Sequence, residues 1–264
     1  MVESTIATVA GMLSLFIGIL ILAVCVMFVI RYTKRKAKSI LYLTFSVLSW
    51  LGATWSATVI YLLAGWNLQV AIVSQKLVYT FVFTGTICTL FFARAIFFEK
   101  AKNTFFQAYM IIGIVIITVM LVLDSVDVQG FPDEPSYPLL TIAMEYSLIV
   151  VVFIIPVVLG ILVIALRLRA RTSDNVSRAG LGFIAGGQFS ILLTFVVDTL
   201  ATAFIGDIIL YQVFLYATWI PPLVGVFLYY LGWIMPDWLK RRIEKRRGSN
   251  VPKEKSKKPS DPME

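Results

Sequence analysis

The chain has 264 residues, 59% of them hydrophobic and 14% charged, with 23 Lys and Arg against 15 Asp and Glu and no His. This composition excludes a soluble domain of that length, and the missing histidines remove the commonest metal ligand and the commonest general base together. Several apolar runs exceed the ~20 residues needed to cross a hydrocarbon core about 30 Å thick, where only a structure that satisfies its own backbone can stand. The expectation is an all-α integral membrane protein, a bundle of seven transmembrane helices with the N-terminus out and the C-terminus cytoplasmic.

The first span, about 5–30, has Glu3 before it and Arg31, Lys34, Arg35, Lys36 and Lys38 after it. A signal peptide has the opposite charge order, so this span is expected to stay as an anchor. The second, about 39–64, carries Ser46, Ser49, Thr54, Thr58 and Tyr61 and is too polar to face lipid all round. The third covers about 70–98. The fourth, about 105–123, is almost purely aliphatic and is expected to face lipid. An acidic link over 124–138, with Asp124, Asp127, Asp133 and Glu134, contains three prolines that oppose helix; it is expected to lie over the bundle mouth as a lid.

The fifth span, about 139–166, contains Glu145 and Pro156. The sixth, about 180–204, opens on Gly180, Gly182, Gly186 and Gly187, a surface of small residues suited to close helix contact. The seventh, about 208–234, contains Pro221 and Pro222. Pro156, Pro221 and Pro222 are the candidate hinges. A basic interfacial helix over 236–248 is expected to lay Trp238, Leu239 and Ile243 toward the bilayer. Its Lys240, Arg241, Arg242, Lys245, Arg246 and Arg247 would then meet anionic headgroups. The tail over 249–264 reads as disordered.

Of the 23 basic residues, 22 fall in the links and tail assigned to one face or, as Arg94 does, at the end of a span beside them, none in the links of the other, and one, Lys76, deep inside a span. That asymmetry sets the topology by the positive-inside tendency. It also explains the basic excess without nucleic acid, which is not expected as a partner.

Charges inside a span usually point inward and pair. Lys76, Glu145 and Asp198 each fall six residues from the outer end of an expected span, roughly 9 Å down at ~1.5 Å per residue. The candidate ligand site therefore joins these three. Thr80 and Thr84 continue the stripe of Lys76, and Thr194 leads to Asp198 at i+4. Tyr61, Tyr79, Tyr146, Tyr211, Gln212 and Tyr216 lie at similar heights. A base with two acids leaves either a protonated carboxyl or room for a cationic ligand group; the bland alternative is an ion-pair network that fixes helix register. No metal site, cofactor or enzymatic centre is expected, because two acids without His or a nucleophile dyad form no recognisable reaction centre.

The segment KLVYTFVFTGTICTLFFARAIFF (76–98) and the exit YYLGWIMPDWLKRR (229–242) resemble in style the seven-helix input regions of prokaryotic histidine kinases and their stand-alone archaeal relatives. The resemblance implies a sensor or receptor-like protein of the cell membrane that detects a small molecule or a membrane condition. The chain has no kinase domain, so its output is expected to pass through a protein partner. A microbial rhodopsin would need a lysine in the seventh span, which has none; Ala93-Arg94-Ala95 departs from the motif of animal G-protein-coupled receptors. A small-solute or proton-coupled transporter and a noncatalytic subunit of a membrane complex are the alternative readings.

Overall fold

The computed structural model describes residues 4–98 and 102–248, the side chains of 35, 144, 145 and 246–248 excepted. Six continuous helices are long and apolar enough to cross a membrane: Thr5–Arg35 (α1), Lys38–Leu63 (α2), Leu68–Phe97 (α3), Asn103–Val122 (α4), Met144–Arg171 (α5) and Asn175–Ala203 (α6). The seventh crossing, Ile208–Trp233, is assembled from Ile208–Ala217 (α7) and Ile220–Trp233 (α8), and Asp237–Gly248 (α9) follows. The chain is thus a multi-pass membrane protein in architecture. The expected tail over 249–264 lies outside the described residues.

Helix starts follow local chemistry. Ser4, Asn67, Asp174 and Asp207 each accept a backbone N–H of the turn that they begin, which pairs donors that have no intrahelical acceptor. Lys36 ends α1 in the left-handed conformation, φ 48°, and its N–H bonds the Tyr32 carbonyl. The short links make neighbours antiparallel. The helices form a closed ring in which α1 packs on α2, α2 on α3, α3 on α5, α5 on α6, α6 on α8, and α8 back on α1, with α4 outside against α3. Accordingly Phe106, Gly113 and Met120 are the buried residues of α4, and its aliphatic remainder points outward.

The polar second helix is held between two others. Ser14 of α1 hydrogen-bonds Thr58 at 2.9 Å, and Ser46 hydrogen-bonds Thr89 of α3 at 2.6 Å, all four residues being buried. Such hydroxyl pairs hold helices together where lipid supplies no hydrophobic drive. The seam between α6 and α8 uses glycine instead. A Cβ built at Gly232 would lie 3.0 Å from the Gly180 carbonyl, and the Tyr229 ring rests against Gly187. Of the four glycines expected to make a close-contact surface, Gly180, Gly186 and Gly187 meet residues of α8 or just beyond it, and Gly182 meets Arg169 of α5.

The link expected as an open proline-rich loop is an antiparallel hairpin, Val126–Gly130 (β1) with Pro138–Ile142 (β2), Val126 opposite Ile142 and Gly130 opposite Pro138. The fold is therefore helical with one small sheet. The fifth span begins at Met144 and not near residue 139, because 139–142 are spent as strand. Pro138 disfavours helix at the residue before it, and Thr141 and Ile142 are β-branched residues that suit a pleated, half-buried surface.

The hairpin is tied to helix ends. Ser4 donates to Asp133 at 2.8 Å, and Asp133 also accepts the Ile6 N–H at 3.1 Å, which places an acid on the N-terminus of α1. Tyr137 donates to the Tyr61 carbonyl near the C-terminus of α2 at 2.6 Å. Burial pushes the Tyr137 phenol above its ordinary pKa, so it remains a protonated donor at neutral pH. Ser125 donates to the Met120 carbonyl at 2.9 Å.

Candidate functional site

One cavity of about 320 Å³ lies in the half of the bundle nearer the hairpin, at the low end of the ~300–1,000 Å³ of small-molecule sites. Its roof is Phe131 with Leu139, Leu140 and Ile142 of the hairpin. Its walls come from α2 (Trp50, Thr54, Tyr61), α3 (Gln75, Tyr79), α6 (Thr194, Asp198, Thr202) and α7 (Tyr211), and its floor from Trp219 and Pro222. Val151 of α5 and Asp198, Thr199 and Thr202 of α6 are exposed as well as lining. The cavity therefore opens between α5 and α6.

The structure brings Asp198, Thr194, Tyr61, Tyr79 and Tyr211 onto this cavity. Lys76 is elsewhere: its Nζ donates to the carbonyls of Leu121 at 3.2 Å and Leu123 at 2.7 Å, the C-terminal end of α4. The expected meeting of Lys76 with Asp198 is not formed, and no ion pair joins them among the described residues. The cause is helix length. Lys76 is eight residues into α3, ~12 Å at 1.5 Å per residue, whereas α4 spans 20 residues and stops short of the start of α3. Its unpaired carbonyls, at the negative end of a helix dipole, meet the lysine at that depth.

Glu145 occupies the second position of α5 and so starts the helix, where a span from 139 would have placed it well inside; its side chain lies outside the described residues. Thr80 and Thr84 give their hydroxyl protons to the carbonyls of Lys76 and Thr80, and neither lines the cavity. Tyr146 packs against the main core, and Tyr216 against the cluster beneath the hairpin. Gln212 is half-buried, off the cavity. Pro156 stands inside α5, which continues through it. Pro221 and Pro222 stand in the first turn of α8, where a missing N–H costs little; the discontinuity itself is at Thr218 and Trp219. On α9, Trp238, Arg241, Arg242 and Lys245 are exposed and Lys240 is half-buried, while the side chains of Arg246 and Arg247 lie outside the described residues.

Sequence reading missed Gln75, Trp50, Thr54 and Trp219. The signal for Gln75 was its spacing: Gln75, Val78, Tyr79 and Val82 follow i, i+3, i+4, i+7, one residue and so 100° around α3 from Lys76, Thr80 and Thr84. Gln75 is 9% exposed, and its side chain has no hydrogen-bond partner among the described residues. The Trp219 indole N–H is also buried without a partner, its ring edge-on to Tyr61 with centroids 6.1 Å apart. Among the described residues no three His, Cys, Asp or Glu side chains gather to hold a metal ion.

No family model, no curated protein and no solved structure matches this chain.

The two charges make a paired prediction. Lys76→Met leaves the Leu121 and Leu123 carbonyls without their charged donor and is expected to cost about 1–2 kcal/mol of stability. Asp198→Asn, which breaks no hydrogen bond or ion pair of a described side chain, is expected to change stability little. Melting temperatures of the two purified variants check this; an equal loss in both would mean that the two residues do act as a pair.

Proposed function

We propose that the protein is a sensor or receptor-like membrane protein whose cavity takes a small ligand, with the hairpin on the outer face and the basic end of the bundle in the cytoplasm. The orientation rests on charge: along the sequence none of the 23 Lys and Arg falls in the links on the hairpin side, and 22 fall in or beside the other links and the tail. In this reading α9 lies on anionic headgroups, and the signal passes to a protein partner on that side.

The observation that carries the reading is the one-sidedness of the polar cavity. Its lining residues on α2 run from 50 to 61, on α3 from 75 to 82 and on α6 from 194 to 202, from the middle of those helices toward their hairpin ends. The opposite half is closed by the glycine seam of α6 and α8, and by Trp233 edge-on to Phe92 with centroids 4.2 Å apart. The break at Thr218 and Trp219 joins the cavity-facing α7 to α8, which is locked on α6, and so offers a joint between ligand and tail.

The broken seventh span also belongs to the repertoire of carriers, and one experiment separates the two readings. In a chain with Cys25 and Cys88 replaced, cysteines at Thr202 and Thr194 in sealed, oriented vesicles are expected to react with an impermeant thiol reagent from the hairpin side only. Reaction from both sides at Thr194 would mean alternating access, and the carrier reading would replace the sensor.

A further inference from the structure

We infer that the ligand of this cavity is a protonated primary or secondary amine carried on a small apolar or aromatic body. The inference rests on the ligand-binding reading above and adds the chemical class.

The first observation is an uncompensated charge. Asp198 lines the cavity and accepts no hydrogen bond from a described residue, and the lysine that would neutralise it is spent on the end of α4. A carboxylate set within a spanning helix at the mouth of an aromatic cavity draws a cation or a proton, and the cavity beside it has room for a cation.

The second is the direction of the hydroxyls. Thr54, Thr194 and Thr202 each donate to the carbonyl four residues back, at 2.8, 3.2 and 3.1 Å. A carbonyl only accepts, so each hydroxyl has used its one proton and faces the cavity with lone pairs alone. The Gln75 amide, nine-tenths buried, adds a carbonyl acceptor together with an N–H2 donor group. The Asp198 carboxylate with threonine lone pairs one turn to either side calls for a ligand group that is positive and carries N–H, while the Gln75 N–H2, the tyrosine hydroxyls and the Trp219 N–H are donors left for an acceptor on the ligand's body. Primary and secondary ammonium ions meet both requirements; a quaternary ammonium has no N–H, and an alcohol no charge.

The third is aromatic. Tyr61, Tyr79 and Tyr211 lie within electrostatic range of the Asp198 carboxylate, and Trp219 closes the floor. Ring faces favour an organic cation and its apolar body. A divalent metal ion would call for more negative charge than one carboxylate supplies, and Asp198 is the one acid on the described lining. The opening between α5 and α6 admits such an amphiphile from the bilayer interface as well as from water. The same ammonium group is borne by a free amine or by the headgroup of an aminophospholipid.

The test is thermal stability of the full chain in detergent with 2-phenylethylamine and a size series of primary and secondary amines. The comparison ligands are 2-phenylethanol, trimethyl(2-phenylethyl)ammonium, sodium chloride, phosphatidylethanolamine and phosphatidylcholine. An amine of the series is expected to raise the melting temperature by several degrees, with the neutral alcohol and the quaternary ion much weaker. Asp198→Asn is expected to raise the amine Kd at least about tenfold, the loss of one charge-assisted contact, and Thr194→Val to weaken it less. The amine and alcohol comparison needs no variant, so a misfolded Asp198→Asn chain leaves the test intact. Stabilisation by phosphatidylethanolamine alone assigns the ammonium to a lipid headgroup. Equal stabilisation by the alcohol, by the quaternary ion or by both phospholipids overturns the amine class while the ligand cavity stands. A sodium response lost in Asp198→Asn replaces the amine with an inorganic ion. If no compound shifts the wild type, the amine class and the ligand-binding reading both fall, whereas labelling of Thr194 from both sides removes only the sensor.

Discussion

Gly232→Ala is expected to lower the stability of the detergent-solubilised protein by about 2–3 kcal/mol, while Gly160→Ala leaves it unchanged or slightly raised. Both replace a helical glycine, and intrinsic propensity favours alanine at each. The difference is tertiary. A Cβ at Gly232 would stand 2.8 Å from Ile184 Cγ1, 3.0 Å from the Gly180 carbonyl oxygen and 3.1 Å from the Ile184 nitrogen. Two of these three are backbone atoms, so a new rotamer gives no relief and α8 must move away from α6. At Gly160 no atom lies within 4 Å of such a Cβ. Thermal unfolding of the two variants beside the wild type checks the contrast. Equal melting temperatures would mean that α8 is not seated on α6, and the proposed joint at Thr218 and Trp219 would lose its fixed side.

Gly130→Ala is expected to unseat the hairpin and open the cavity roof while most of the bundle stays folded. A Cβ there would lie 2.3 Å from the Pro135 oxygen, 2.8 Å from its Cα and 2.9 Å from its carbonyl carbon, all backbone atoms of the turn folded back over β1. The turn must lift. It carries Asp133, bonded to Ser4 and Ile6, and Tyr137, bonded to the Tyr61 carbonyl; Phe131, whose N–H bonds the Tyr137 carbonyl at 3.0 Å, moves with it. Hydrogen exchange reads the result directly: the amides of Ile6 and Ala7 are expected to lose protection by at least about tenfold, a loss of one charge-assisted bond. Amides in the middle of α3 and α6 are expected to remain protected. Unchanged protection at Ile6 would show that Asp133 does not hold the start of α1, and the hairpin would then be a loose link and not a roof.

The seven crossings were legible in the sequence because the bilayer sets them by length and hydropathy, and both are properties of a segment read alone; where each helix starts was less so, α5 beginning at Met144 and α6 at Asn175. The polarity of α2 was legible for the same reason. Serine and threonine repeated along a spanning helix need partners within the bundle, and Ser14 and Thr89 supply two of them. The acidic, proline-rich link announced a non-helical cover, though not the strand pairing of Val126 with Ile142.

The site was legible only in part. Asp198, Thr194, Tyr61, Tyr79 and Tyr211 could be named because polar side chains deep in apolar helices stand out. Which of them share a cavity depends on helix rotation and on where neighbouring helices end, and neither is a property of one segment. A turn of 100° about α3 puts Gln75 on the cavity and Lys76 off it. The early end of α4 then supplies Lys76 with carbonyls to bond, and so leaves Asp198 facing the cavity without a cation. The sequence by itself determined a seven-crossing membrane protein with one strongly basic end, because lipid tests each segment separately. The tertiary structure alone decided which charge faces the cavity without a partner, because that depends on which neighbour reaches each charge first.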